Sequence, residues 1–319
     1  KIIENEKKYK QSNNQLLTKI NNLQQMLTNK TIVNDSDKSV TNTTNTNTTN
    51  TNTTNTNTTN EKSLENFNWG DIPENGNFKI IDGITNIIDR AFYEKSSLIS
   101  IDIPDSVKSI GDWAFYSCTS LTSVTIGSGV TSIGNVAFNK CESLTSINIP
   151  DGVTSIGLRA FAGCIKLTSI TIGDNVQSIG ENAFRFCYYL TSIKIGASVT
   201  SIGNYTFYDC KSLTSVNIGD NVQIIGRLAF YNCKPLTSIT IGDNVYSIDK
   251  EAFWGCTSLS TITVKNDNKE YSSESNILYN KNKTEIIYLP SNLIEFRINK
   301  NIININPFAF INCSSLKYL

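Results

Sequence analysis

A phenylalanine returns every 23 residues along most of this chain. Phe92, Phe115, Phe138, Phe161, Phe184, Phe207, Phe230 and Phe253 keep the spacing without a slip, and Phe310 follows after a longer insertion. A unit this short cannot bury its own apolar face. Copies must therefore stack on one another, and a fixed period of this length specifies a solenoid. Residues 167–187, LTSITIGDNVQSIGENAFRFC, show what one copy holds. Leu167, Ile170 and Ile172 form L-x-x-I-x-I, and the last two alternate with Thr171 as in a short half-buried strand. Gly173-Asp174-Asn175 is turn chemistry: Gly accepts positive φ, and Asp or Asn bonds nearby backbone. Val176 and Ile179 return inward, and Gly180 is expected to allow a second sharp bend. Ala183 permits close approach and Phe184 fills the centre. Parallel strands about 4.8 Å apart place each column over its copy in the next coil. About seven buried apolar side chains per repeat, each worth roughly 1.5–3 kcal/mol before entropy, give a continuous core.

The cysteines share the period. Cys118, Cys141, Cys164, Cys187, Cys210, Cys233, Cys256 and Cys313 each lie three residues after a repeat phenylalanine. A disulfide framework needs cysteines that converge in pairs, whereas these form one column whose parallel Cβ vectors would strain any bond. The expected role is a structural ladder of buried thiols, small hydrophobes with a weak donor. With no histidine in the chain and no C-x-x-C pair, metal binding is not expected.

The missing histidine also removes Ser–His and Cys–His catalysis. The repeat spreads its polar groups one coil apart, so no enzyme and no cofactor are expected. With 28 basic and 28 acidic side chains, charge gives no reason to expect nucleic acid. No apolar run approaches the roughly 18 residues of a membrane span. The chain starts at Lys1 rather than Met, which leaves room for a missing upstream segment, with or without a signal peptide, so export is not decided by this start.

Ahead of the repeats lie two other regions. In residues 1–33, Ile2, Tyr9, Leu16 and Leu23 fall seven apart, joined by Ile20 and Leu27 and weakened by Glu6 and Asn13. This is a/d spacing for a coiled coil, which would make a homo-oligomer through residues 1–30; the alternative is a lone solvated helix. Residues 34–66 read as a disordered linker, because 41–60 is made only of Thr and Asn and has nothing to bury. Asn42, Asn47, Asn52 and Asn57 sit in N-x-Thr sequons, which would make the linker a glycosylated stalk in a secreted chain and mean nothing in a cytosolic one. Residues 67–319 form the solenoid, with a longer hairpin-bearing unit at about 265–297.

The phrases LTSVTIGSGVTSIGNVAFNKC (121–141) and LTSINIPDGVTSIGLRAFAGC (144–164) resemble the BspA-type, or Treponema pallidum-type, leucine-rich repeat. VKNDNKEYSSESNILYNKNKTEIIYLP followed by EFRINKNIININPFAF resembles the hairpin-bearing unit that interrupts such arrays. There Ile277–Tyr279 and Glu285–Tyr288 are expected to pair across 280–283. The chain departs from the pattern at Ile88, Asp249 and Asn306, which replace the bend glycine, and at Lys95, which replaces the first cysteine. The resemblance implies a leucine-rich-repeat solenoid of short parallel β-strands with turns or short helical turns. It also implies a surface or secreted protein that adheres to other proteins, with no shared catalytic residues. A cytoplasmic interaction scaffold is the alternative, since fold does not transfer a ligand.

Two surfaces are candidates for binding a protein or glycan. The outward strand positions Ser123, Thr125, Ser146, Asn148, Ser169, Thr171, Ser192, Lys194, Ser215, Asn217, Ser238 and Thr240 make a polar, nearly uncharged sheet face. The same residues also serve as ordinary solvent-facing strand residues that bond across strands. An ice-binding face is set aside, because Asp102, Asn148, Lys194 and Asn217 interrupt the threonine rows. The position after each phenylalanine carries Tyr93, Tyr116, Tyr208, Tyr231 and Trp254, an aromatic flank broken by Asn139, Ala162 and Arg185. These rings either face a partner or cap the core edge against the neighbouring coil. The turn aspartates Asp105, Asp151, Asp174, Asp220 and Asp243 offer one carboxylate per coil, too few for a calcium ladder.

Overall fold

The computed structural model describes residues 62–63 and 75–317. The heptad positions, the Thr/Asn tract and its sequons lie outside the described residues.

Each 23-residue unit is one rung with three sides. On the first side run strands of three or four residues, from Asn77–Lys79 to Thr261–Val264. Their burial alternates: in Ser169–Ile172 the two isoleucines are buried while Ser169 and Thr171 face water. The period of two from the sequence is thus the inside–outside period of the rung. This side is not one sheet. Parallel pairing breaks between Ser123–Ile126 and Ser146–Ile149 and again between Ser169–Ile172 and Ser192–Lys194, leaving ladders of three, two and four strands. The rim amides carry on across the breaks, with Thr145 N–H donating to Thr122 at 3.4 Å and Thr191 to Thr168 at 3.2 Å.

The second side is a single parallel ladder of nine short strands, from Lys62–Ser63 through Ile84–Ile87 to Ser247–Ile248. Lys62 pairs with Ile84, so the ladder takes in residues that composition assigned to the linker.

The third side is the phenylalanine corner. Residues two before and two after the phenylalanine have left-handed backbones, Trp113 (φ 61°) and Ser117 (φ 58°) around Phe115, for example. These positions carry Trp, Val, Arg and Tyr as readily as glycine, and a β-branched Val136 at φ 60° is a genuine exception to local preference. Stacking enforces it. Trp113, Phe115 and Ser117 each donate their amide to the next rung, to Asn135, Ala137 and Asn139, at 2.9, 2.7 and 2.8 Å. The intervening amides close local turns, as Tyr116 does on Trp113 at 3.1 Å. Alternation between outward and local bonds satisfies every amide of a tightly curled segment, and that outweighs a strain of about 1–3 kcal/mol per residue.

The bend glycines act differently from expectation. Positive φ among glycines occurs only at Gly76, Gly83, Gly163 and Gly255 in the described residues, not at Gly180 or Gly173. What Gly157 needs is closeness: a Cβ there would meet the Gly134 backbone at 2.5 Å. Gly180 has the same relation to Gly157, again 2.5 Å. The column glycines let one rung's bend lie against the next.

The insertion folds as a small meander. Tyr271–Glu274, Ile277–Asn280 and Glu285–Tyr288 pair antiparallel in sequence, and Asn304–Ile305 then pairs parallel with Glu285 and Ile286. Tyr279 sits opposite Ile286, the pairing the sequence led us to expect. Tyr271–Glu274 is an added strand that its residues, YSSE, did not announce.

One apolar cluster runs from Ile80 to Tyr288, and a second smaller one, Ile277, Tyr279, Ile286, Leu289 and Ala309, lies under the meander. The phenylalanines stack face to face along the axis. Phe138 and Phe161 have centroids 5.3 Å apart and planes 2° off parallel. The column ends when Tyr288 meets Phe253 edge-on at 5.8 Å and 73°. Three buried asparagines finish the last regular rung. Asn268 donates to Gly242 and Val245 at 2.7 and 2.9 Å. Asn306 donates to Lys250 and Ile287 at 3.2 and 3.0 Å. Asn312 donates to Phe253 and Tyr288 at 2.8 and 3.0 Å and accepts the Gly255 amide at 3.0 Å. Where Asn306 replaces a bend glycine, a side-chain amide thus takes over bonds that another regular rung would make.

Candidate functional site

The sheet-face residues stand where the alternation puts them. Ser123, Thr125, Ser146, Asn148, Ser169, Thr171, Ser192, Lys194, Ser215, Asn217, Ser238 and Thr240 are all exposed. Register holds the columns aligned, Ser146 beside Ser169 and Ser192 beside Ser215, with Lys194 beside Asn217. Lys194 also reaches the Asp174 carboxylate at 3.4 Å, a fully solvated pair of small worth.

Beside this face runs a threonine row that the sequence reading passed over: Thr122, Thr145, Thr168, Thr191, Thr214 and Thr237, all exposed. The hydroxyls of the first five reach back to the carbonyl one rung earlier; Thr168 donates to Thr145 at 3.0 Å and Thr214 to Thr191 at 3.0 Å. These hydroxyls are bonded along the row. The signal was the L-T-S that opens six successive copies, from Leu121 to Leu236.

The turn aspartates bond upward along the stack. Asp105 accepts the Ser128 amide at 2.6 Å, Asp151 the Asp174 amide at 3.2 Å, and Asp243 the Asp267 amide at 3.1 Å. Among the described residues, no three His, Cys, Asp or Glu side chains converge to hold a metal ion.

The cysteine column lies just inside the corner. Cys118, Cys141, Cys164, Cys187, Cys210, Cys233 and Cys256 are buried and unbonded to one another, and Cys313 is half-buried. Each buried thiol donates to the phenylalanine carbonyl of the rung before, from 2.9 Å for Cys118 on Phe92 to 3.3 Å for Cys187 on Phe161. Burial pushes the Cys118 thiol up to about 12, and it holds Cys141, Cys187 and Cys233 well above the usual range.

The aromatic flank is half-buried, and its rings pack on each other. Tyr93 and Tyr116 stack at 5.0 Å, and Trp113 tilts against Tyr116 at 5.0 Å. Burial, then the neighbouring Glu94 carboxylate, raises the Tyr93 phenol above its ordinary value. Tyr208 and Tyr231 stack at 4.5 Å, Tyr231 meets Trp254 edge-on at 5.7 Å, and Trp254 covers Phe308 at 5.6 Å. The gap at Asn139 and Ala162 separates these two groups. Arg185 leaves no gap. Its guanidinium lies 4.5 Å over Phe186 and 4.6 Å over Tyr208. Trp113, Phe186, Tyr188 and Tyr205 belong to this flank and were missed, because the sequence was read down one column while the curled corner brings residues one and three positions away alongside it.

A recess of about 250 Å³ opens beside the meander, between Ile248, Lys250, Tyr271, Glu285 and Ile287. Most of its polar groups hold the meander in place: the Tyr271 hydroxyl accepts the Ile248 amide at 2.9 Å, and Glu285 accepts Asn304 at 2.9 Å. Among the described residues no helix is long and apolar enough to cross a membrane.

The chain matches the family model for the BspA type leucine rich repeat region in six copies, over residues 62–191 and 178–317. A leucine rich cell surface protein from Faecalibacterium prausnitzii A2-165 is 31% identical, covering 76% of this chain and 68% of that one with a TM-score of 0.59. A leucine-rich repeat protein from Bacteroides ovatus, 22% identical over 76% of this chain and 74% of that one, shares the fold at a TM-score of 0.51. The Treponema pallidum leucine-rich repeat protein is 30% identical over 51% of this chain and 79% of that one, at a TM-score of 0.48. No curated protein sequence matches. With the 23-residue rung, the inward Leu-Ile-Ile pattern and the phenylalanine column all in place, the chain belongs to the BspA-type leucine-rich repeat family.

Proposed function

We propose that this chain is a non-enzymatic protein-binding scaffold of the adhesin kind, displayed on the cell surface or secreted. The observation that carries the reading is the sheet face. It is an exposed, nearly uncharged array of Ser, Thr and Asn held in register within each ladder by a stacked core. Such a surface is ordered before any partner arrives, so binding loses little conformational freedom. The flank supplies aromatic area beside it.

The buried thiols are compatible with display outside the cell. Free cysteines are a liability in an oxidising compartment only if oxidants reach them as thiolates, and seven of these eight are buried with their protons held. Cell-surface placement of a 31% identical relative points the same way. Residues 1–30 are assigned to homo-oligomerisation, which would raise avidity for a repeated protein or glycan ligand without new contacts.

Antibody labelling of intact and permeabilised source cells tests the placement. Labelling of intact cells is the expected result. Labelling only after permeabilisation would overturn the surface role and leave an intracellular interaction scaffold. A Thr171→Glu, Thr240→Glu pair on the sheet face should abolish adhesion while leaving the melting temperature unchanged within about 2 °C.

A further inference from the structure

Arg185 occupies the centre of the aromatic flank in an unusual state. Phe186 covers it at 4.5 Å, Tyr208 at 4.6 Å and Tyr205 at 5.9 Å. Its Nη1 donates to the Asn182 carboxamide at 3.3 Å, and its Nε is buried with no acceptor. Guanidinium presents five N–H donors in a rigid fork. Asn182 is the only described side chain that takes one of them. Ring contacts thus immobilise the cation while most of its hydrogen-bonding capacity goes unused.

The surrounding charges do not fill that capacity. Lys211 lies 4.2 Å over Tyr188, and neither it nor Arg185 belongs to any of the five ion pairs among the described residues. Two acids close in sequence make other bonds: Glu181 accepts the Asn204 side-chain amide at 2.8 Å, and Asp209 accepts that of Asn232. Arg185 and Lys211 are thus two ring-held cations outside the ion pairs of the described residues, and Tyr189, next in sequence to Tyr188, is 57% exposed. Tyr and Arg in such clusters are the residues on which interfaces most depend.

We propose that Arg185 is the anchor of an acidic protein segment, whose Asp or Glu carboxylate pairs with the guanidinium fork while its neighbouring apolar side chains lie on Tyr188 and Tyr189. This rests on the protein-binding reading and names the chemistry of the partner. A carboxylate meets such a fork through two parallel N–H···O bonds, and with Nε buried and one Nη1 proton on Asn182 it is the Nη1/Nη2 end that can receive it. A pyranose would need a bare aromatic face. Here Tyr208 is stacked on Tyr231 at 4.5 Å and covered by Arg185, and Arg185 also occupies Phe186. The geometry favours a peptide over a glycan.

The full chain is passed over an array of peptides in which Asp and Glu alternate with Tyr, Leu and Ser. A second array carries Asn and Gln in place of the acids, and a third carries sialylated glycans. Acidic peptides should be retained about tenfold more strongly than their amide counterparts, and retention should fall with added salt. Arg185→Ala should lose about tenfold, and so should Arg185→Lys, which keeps the charge over the rings but not the fork. Arg159→Gln, an exposed arginine without a ring contact, should bind as the parent does. Urea unfolding of each variant checks that the solenoid persists, and Arg185→Lys carries the test if Arg185→Ala does not fold. Equal retention on the two peptide arrays, undiminished binding by Arg185→Lys, or retention by glycans alone would overturn the proposal. Acidic peptides kept by the Arg185 variants but lost from Thr171→Glu would also overturn it, and would leave the scaffold reading standing on the sheet face. Retention on none of the arrays would count against both.

Discussion

The carbonyl oxygen of Phe138 accepts the thiol proton of Cys164, 3.2 Å away on the following rung. The same oxygen accepts the Cys141 amide at 3.2 Å, so both its lone pairs are used. A thiolate there would face that oxygen with a negative charge, in a fully buried site. Protonation and stacking are therefore coupled along the whole column.

Alkali should unfold the solenoid for this reason. In the unfolded chain each thiol titrates near 9.0, whereas the folded pKa values are raised by burial, to about 12 for Cys118. Below the unfolded value both states keep the proton and full stability is present. Above it only the folded state does, and stability falls by up to about 1.4 kcal/mol per pH unit for each buried thiol. The urea midpoint should drop steeply from about pH 9 to about pH 11. A level profile over that interval would mean the thiols are not buried as described.

Thiol labelling under native conditions should distinguish Cys313 from the rest. It is half-buried and its sulfur lies 3.8 and 3.7 Å from the Leu289 and Pro290 carbonyls, looser than any other member of the column. One rapid equivalent is expected at neutral pH, with the other seven appearing only on denaturation. Several rapid equivalents would contradict the column.

Two glycines of the same sequence column should respond oppositely to alanine. At Gly157 a Cβ would stand 2.5 Å from the Gly134 backbone, and Gly157→Ala should cost more than about 2 kcal/mol as rungs are forced apart. At Gly203 the nearest atom to a Cβ, on Glu181, is 3.4 Å away, an ordinary contact. Gly203→Ala should be neutral or stabilise by about 0.4–1 kcal/mol, because the unfolded chain loses freedom. Equilibrium urea unfolding of the two variants gives the comparison; equal effects would refute the close-approach role.

Asn312→Leu should cost about 3 kcal/mol. The side chain is buried and makes three hydrogen bonds, to Gly255, Phe253 and Tyr288; leucine would strand the Gly255 amide, deprive the Tyr288 hydroxyl of its donor and leave the Phe253 carbonyl with the Cys256 amide. Hydrogen exchange should show the loss first at the Gly255 amide, which Asn312 holds, and at the Cys256 amide on the Phe253 carbonyl, with Phe138 and Phe161 still protected, because rungs interact only with neighbours. Uniform loss along the array would argue that the solenoid unfolds as one unit.

How much of this was legible beforehand depends on which force places each residue. Phe161, Ile170 and Ile172 sit where hydrophobic periodicity puts them, because burial has a sign that any sequence displays. Thr171 faces water for the same reason, and Tyr279 pairs near Ile286 because a turn signal separates two apolar runs. The left-handed residues were invisible. Trp113, Val136 and Tyr205 have no local reason to adopt positive φ, and only the bonds to the next rung impose it. Gly157 was visible as a glycine but not for its actual role, since closeness to Gly134 is a property of the stack. Arg185 read as a break in an aromatic row, because side-chain identity in one column does not show that Phe186 and Tyr208 close over it.

The curled corner has a further consequence. Its inter-rung bonds all run one way: Arg90 to Asp112, Trp113 to Asn135, Val136 to Leu158, each amide proton directed toward the C-terminal neighbour. In an α-helix the aligned peptide dipoles leave amide protons bare at the N-terminal end. Here the polarity is reversed, with the amide protons aimed toward the last rung. The corner is thus an electrical axis laid along the molecule, and Asn312, offering its carboxamide oxygen to Gly255, sits at the positive pole.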